Sequence, residues 1–168
     1  MDLQTLLADI TPVGEAPSDH FEITAITDDS RQVTPDGLFV AVPGLNVDGH
    51  HFIPQAVEAG ASVIVGERPR AELDLPAALP YIRVADAREA LGRLHAAWHD
   101  HPVRKLTLIG VTGTDGKTTT TTLIYEILRA AGVPVGMIST VDARIGGQTL
   151  DTGLHTTTPP AEAVQRYL

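Results

Sequence analysis

Apolar positions along the first hundred residues alternate between a helical and a strand rhythm. Leu3, Leu6, Leu7 and Ile10 fall at helical spacing and predict a short amphipathic helix over residues 2–10, which the Pro- and Gly-containing stretch from Thr11 to Asp19 ends. The apolar runs 21–26, 38–42, 62–65 and 81–84 have strand length, and Gly, Pro or Asp clusters bound most of them. Residues 52–59 and 86–99 read as helices. In the second of these Leu91, Leu94 and Trp98 share one face, which predicts a helix laid on a sheet.

The His-Asp-His-Pro-Val segment at 99–103 reads as a linker, because the residue before Pro102 is biased away from helix. The boundary is therefore expected at 101/102, with domains over 1–101 and 102–168. After it, 106–111 has the character of a buried strand, 113–117 of a glycine-rich turn, and 118–131 of a helix stopped by Gly132 and Pro134. That succession opens a parallel α/β nucleotide-binding unit. Residues 133–140 predict the next strand, 143–150 a hairpin centred on Gly146-Gly147, and Pro159 and Pro160 the start of another helix. The expected fold class is α/β: a small amino-terminal domain, then the first part of a P-loop parallel-sheet domain.

Composition narrows the function classes. With 168 residues, 43% apolar and 20% charged, disorder and collagen-like repetition are excluded. The absence of cysteine removes a disulfide framework, a thiolate zinc site and a cysteine nucleophile together. No basic apolar leader and no long apolar run is present, so a cytoplasmic chain without membrane insertion is expected. The net charge of −9 is unevenly placed: residues 1–100 carry six basic and sixteen acidic groups, residues 101–168 six and five. Such a balance argues against nucleic acid as a partner, which needs clustered Lys and Arg.

The strongest chemical signal is GVTGTDGKTTT at 110–120. It departs from the Walker form G-x-x-x-x-G-K-[ST], whose first glycine would fall on Val111. The working parts remain. Gly113, Thr114, Asp115, Gly116, Lys117, Thr118 and Thr119 form an ATP loop in which glycines let backbone N–H groups face phosphate oxygens and the following helix offers its positive end. Lys117 would reach the β- and γ-phosphates as the catalytic cation, and the Thr118 hydroxyl would ligate Mg²⁺. Lys117 is one of only two lysines. The bland alternative is a glycine turn that merely joins strand to helix.

The stretch DSRQVTPDGLFVAVPGLNVDGHHFIPQAVEAGASVIV at 29–65 resembles the first domain of the Mur ligases, which extend the peptidoglycan precursor. The family pattern there is Asp-Ser-Arg, a turn into Leu-Phe-Val-Ala, then Gly-x-x-x-Asp-Gly-His-x-Phe-Ile and an Ala-rich helix. The GTxGKTTT loop matches the central domain in the family's order. Within the family the chain looks most like the ligase that joins a third amino acid (diaminopimelate, lysine or similar) to UDP-MurNAc-L-Ala-D-Glu, because Thr156-Thr157-Thr158-Pro159 resembles its substrate-binding Thr-Thr motif. The D-Ala-D-Ala-adding ligase is the alternative; a folate-polyglutamate ligase shares only the ATP loop. From another class, a non-catalytic nucleotide-sugar-binding module is also consistent.

The resemblance implies that Asp28, Ser30, Leu45, Asn46 and Val47 line a uridine diphosphate pocket. Arg31 either pairs with a diphosphate oxygen or forms an ordinary salt bridge to Asp28 or Asp29. Thr156, Thr157 and Thr158 would hold the muramoyl-peptide part, with Thr158 also suited to cap the helix that begins at Pro159. It further implies ATP and Mg²⁺ as cofactors, an amino acid as second substrate, and an acyl-phosphate route. Asp115 stands where the family usually has Asn or Lys, and should repel a triphosphate. Mur ligases have three domains, so the chain is expected to be an inactive piece of a longer protein, or to self-associate through open sheet edges.

Three further features are weighed. His95 and His99, four apart with His101 near, are expected at a solvated helix end rather than on zinc. His50 is expected to anchor its loop, and Trp98 to be core.

Overall fold

The computed structural model describes residues 1–44, 47–151 and 159–168, which divide into two units, Met1–Asp100 and His101–Leu168. The first unit contains α1 (Leu3–Leu7), β1 (Ile26–Thr27), β2 (Gly37–Ala41), α2 (Ile53–Glu58), β3 (Ala61–Gly66), β4 (Tyr81–Arg83) and α3 (Ala87–Trp98). Its four strands pair in sequence order and all in parallel, with Thr27 opposite Phe39, Ala41 opposite Gly66 and Gly66 opposite Arg83.

Burial on both faces is what a parallel sheet demands, and every residue of β2 is buried. Alternation sends Phe39, Ala41, Ile64 and Tyr81 to one face, where they meet Ile53 and Ala56 of α2. Leu38, Val40, Val63, Val65 and Ile82, all fully buried, take the other face. There α3 packs on α1, β1 and β2. Leu91 and Leu94 are buried as the helical pattern predicts, while Trp98 is half-buried rather than core.

The expected strand over 21–26 shrinks to Ile26–Thr27. Its earlier backbone is taken up by the amino terminus: Leu3 N–H donates to Phe21 O at 2.9 Å and Ile23 N–H to Met1 O at 2.8 Å. Such groups are no longer available to the sheet ladder.

The second unit contains α4 (Lys117–Ala130), an antiparallel sheet of β5 (Met137–Ile138), β6 (Asp142–Ile145) and β7 (Gln148–Asp151), and α5 (Ala161–Tyr167). The hairpin is where the sequence places it. Gly146 and Gly147 have φ of 58° and 81°, and a tight two-residue hairpin turn needs both positive. Buried Tyr125 of α4 lies under the Arg144 guanidinium, 5.7 Å from ring centroid to Cζ, and Arg144 also pairs with Asp142 and Glu126.

Three expectations for this unit are corrected. Residues 106–111 form no strand; Leu108 and Ile109 are 61% and 58% exposed, because a buried parallel strand needs flanking partners and none pairs with them among the described residues. The strand expected over 133–140 is limited to Met137–Ile138. The last helix is preceded by Pro160 as its N-cap, with no side-chain cap, so the capping position is two residues beyond Thr158. Thr156, Thr157 and Thr158 lie outside the described residues, as do Leu45 and Asn46. No helix among the described residues is long and apolar enough to cross a membrane.

Candidate functional site

In an open parallel sheet, ligands gather beyond the carboxyl ends of the strands. Here those ends lead into the turns around Asp28–Arg31 after β1, the segment 42–50 after β2, Glu67 and Arg68 after β3, and Asp86 after β4. After β1, Asp29 caps a 3₁₀ turn over Ser30–Gln32 by accepting from Arg31 N–H at 3.0 Å. The same carboxylate takes the Arg31 guanidinium in a fork, Nε at 2.8 Å and Nη2 at 2.7 Å. These hydrogen bonds hold the Asp29 carboxyl well below the ordinary range. Of the two roles open to Arg31, the structure therefore displays the salt bridge, and to Asp29. Ser30 is buried, its hydroxyl donating to Gln55 Oε1 at 2.8 Å and tying the turn to α2. Asp28 is exposed beside them.

After β2, Pro43 and Asp48 form an antiparallel bridge, and Gly44 N–H donates to Val47 O at 3.0 Å. Val47 projects, 52% exposed. The base of this loop is fixed by Asp48 and His50. Asp48 Oδ1 accepts from His50 N–H at 2.9 Å and lies 2.6 Å from His50 Nδ1, while Oδ2 accepts from Arg68. The other ring nitrogen of His50, Nε2, accepts from the backbone N–H groups of Glu67 at 3.0 Å and Arg68 at 3.3 Å. Two N–H donors at Nε2 require a lone pair there, so the proton sits on Nδ1 and points at Asp48. Burial pulls Asp48 up, but the bonds from His50 and Arg68 outweigh it and leave its pKa at about 2. Both His50 nitrogens are thus spent on anchoring the loop. Tyr81, whose hydroxyl donates to Arg68 O at 2.7 Å, is pushed up to about 12 by burial.

The two long helices differ at their amino ends. The end of α3 is closed by carboxylates, Glu89 N–H donating to Asp86 and Ala87 N–H to Glu67, each at 2.8 Å. The end of α4 has Gly116 as N-cap at φ 74°, no side-chain cap and no acidic residue in the first turn. Its first N–H groups have no intrahelical acceptor, which suits an anion. Lys117 folds back over the preceding loop, Nζ donating to Gly113 O at 2.7 Å and Thr114 O at 3.1 Å. An ammonium has three donors, so one remains for a phosphate oxygen. Asp115, Thr118 and Thr119 are exposed around this mouth.

An Mg²⁺ ion fits this donor set through the exposed Thr118 hydroxyl, because Mg²⁺ in nucleotide sites takes few protein ligands and completes its shell with phosphate and water. Among the described residues no group of three or more His, Asp or Glu could hold a metal by itself. His95, expected at a solvated helix end, is instead buried on the face of α3 that meets the fold's interior. Sequence reasoning did not single out Gln55 or Arg68; their partners are 25 and 20 residues away, beyond any local motif.

Comparison with known proteins gives two matches in chain order. Residues 22–99 match the model described as Mur ligase family, catalytic domain, and residues 111–167 that of the Mur ligase middle domain. The chain is 43% identical over 168 residues, all of its own length and 33% of the relative's, to a UDP-N-acetylmuramyl-tripeptide synthetase of Roseiflexus sp.. It is 46% identical over 158 residues, 92% of its length and 32% of the relative's, to a UDP-N-acetylmuramoyl-L-alanyl-D-glutamate--2,6-diaminopimelate ligase of Parabacteroides distasonis. It spans about a third of the length of these curated relatives. A solved UDP-N-acetylmuramoyl-L-alanyl-D-glutamate--2,6-diaminopimelate ligase shares the fold at TM-score 0.66 and 20% identity, over 99% of this chain and 32% of that one. The D-alanyl-D-alanyl ligase of Acinetobacter baumannii superposes at TM-score 0.52 with 32% identity, over 76% and 27%. With both matches in the family's order and the phosphate loop and Asp-Gly-His anchor in place, the chain belongs to the Mur ligase family.

Proposed function

We propose that the protein serves a cytoplasmic, ATP- and Mg²⁺-dependent amide ligase that adds the third amino acid to UDP-MurNAc-L-Ala-D-Glu. The observation that carries this reading is the open amino end of α4 under Lys117, in a chain 43% identical along its whole length to the tripeptide synthetase of Roseiflexus sp.. Residues 1–101 would be the nucleotide-sugar domain and 102–168 the start of the ATP domain.

In the proposed reaction a substrate carboxylate oxygen attacks the γ-phosphorus of ATP and ADP leaves. The amine then attacks the acyl carbon and phosphate leaves, forming the amide. Lys117 would hold the β- and γ-phosphate oxygens, and the N–H groups of Thr114 to Thr119 would face the charge that develops there. Mg²⁺, bound with the Thr118 hydroxyl, would supply further neutralisation. At the other site, Asp28, Ser30, Arg31 and Val47, with Leu45 and Asn46, would surround the uridine diphosphate, and Thr156, Thr157 and Thr158 the muramoyl peptide.

A D-Ala-D-Ala-adding ligase is the second reading, favoured by the 32% identity to the Acinetobacter enzyme. Calorimetry with Mg-ATP and with UDP-MurNAc-L-Ala-D-Glu tests the first reading. Lys117→Ala is expected to abolish only ATP binding, and Ser30→Ala to weaken only the uridine compound. Binding of ATP without any uridine compound would overturn the nucleotide-sugar site.

A further inference from the structure

We infer that Arg88 is the charge partner of the diphosphate in the uridine nucleotide site, a role that the sequence offers to Arg31. The inference rests on the nucleotide-sugar reading of the first unit and adds a residue to it. Arg31 is less suited because Asp29 engages one edge of its guanidinium, Nε at 2.8 Å and Nη2 at 2.7 Å, and neutralises its charge in place. Arg68 is likewise committed to Asp48. The amino end of α3 is filled by Asp86 and Glu67, so that helix terminus is closed to the anion.

A diphosphate brought to this edge meets a run of carboxylates, Asp28, Asp29, Asp48, Glu67 and Asp86, and needs a cation that none of them has taken. Arg88 meets that requirement. It is exposed on the first turn of α3, has no carboxylate partner among the described residues, and makes one long hydrogen bond, Nη2 to Pro43 O at 3.4 Å. Pro43 is the base of the loop carrying Val47, through its bridge to Asp48. The contact therefore delivers a guanidinium from a residue 45 positions away to the side of the very loop expected to hold the nucleotide. Most of its five N–H donors remain available, in the fork geometry that matches phosphate oxygens. Arg83 and Arg70 also lack carboxylate partners among the described residues, but their guanidinium groups bond to Glu67 O and to the carbonyls of residues 76, 77 and 79, and neither makes a hydrogen bond to the described residues of the segment 42–48.

The test is calorimetry of the chain with UDP and with uridine at two salt concentrations, on the wild type, Arg88→Gln, Arg88→Lys and Arg31→Gln. Arg88→Gln is expected to weaken UDP roughly 10- to 100-fold, the range for a charge-assisted hydrogen bond, while uridine changes less than about twofold. The salt dependence of UDP affinity should fall with it. Arg88→Lys, which keeps the charge and loses the fork, should be intermediate. Arg31→Gln, which removes a charge that Asp29 already neutralises, should weaken UDP less than Arg88→Gln does. Equal UDP affinity in Arg88→Gln and wild type would overturn the assignment, as would equal losses for UDP and uridine, which would mark Arg88 as a shaper of the loop. A wild type that binds neither ligand would instead overturn the nucleotide-sugar reading itself. Should Arg88→Gln not fold, Arg88→Lys decides by the same comparison.

Discussion

His50 stands in the space that a side chain on Gly66 would need. A β-carbon at Gly66 would lie 2.7 Å from His50 Nε2 and 2.8 Å from the Tyr81 hydroxyl. Both groups are committed elsewhere, His50 to Glu67, Arg68 and Asp48, and Tyr81 to Arg68 O. The last residue of β3 is thus a glycine so that the anchor of the β2 loop can reach the end of the neighbouring strand.

Gly66→Ala should accordingly displace the imidazole and loosen the loop it anchors. Overpacking of this kind costs about 1–3 kcal/mol. A lowered urea midpoint at unchanged slope is the expected result, with UDP binding reduced alongside; an unaltered midpoint would show that the ring moves freely.

The Asp48 cluster sets an acid limit. Its folded pKa of about 2 lies below the ordinary 3.8, so its stabilisation is fully present above pH 3.8 and is lost as pH falls towards 2. Asp29, also depressed, adds loss in the same direction and further down. Asp48→Asn should remove the Asp48 part of this acid dependence and lower stability at neutral pH by an amount on the order of 1–2 kcal/mol. Chemical denaturation of both proteins between pH 2 and 7 reads the difference; parallel pH curves would contradict the assignment.

Asp115 is exposed at the mouth of the proposed phosphate loop, within the turn that Lys117 spans. A carboxylate there opposes an incoming triphosphate. Asp115→Asn is expected to tighten Mg-ATP about two- to fivefold, the scale of one solvent-screened charge contact. Unchanged or weaker binding in calorimetry would mean that the carboxylate turns away or serves the bound metal's water shell.

Much of this was written in the sequence, because it depends on neighbours along the chain. The helices over Leu3–Leu7, Ile53–Glu58, Ala87–Trp98 and Lys117–Ala130, the strands β2, β3 and β4, and the Gly146-Gly147 hairpin follow from periodicity, Asp86 at a helix start and glycines at a turn. The order of the Asp-Ser-Arg, Asp-Gly-His and Gly-Lys-Thr motifs likewise indicated the Mur ligase family before any contact was known. Tertiary structure decided what depends on who arrives from afar. The amino terminus took the backbone of Phe21 and Ile23 from β1, residues 106–111 found no strand to pair with among the described residues, and His95 turned inward. Arg31 and Arg88 have the same side chain. The carboxylate in the fork of Arg31 comes from Asp29, two residues away and within reach of a local reading, whereas only the fold brings the carbonyl of Pro43, 45 residues away, beside Arg88, because that partner is fixed by distance in space.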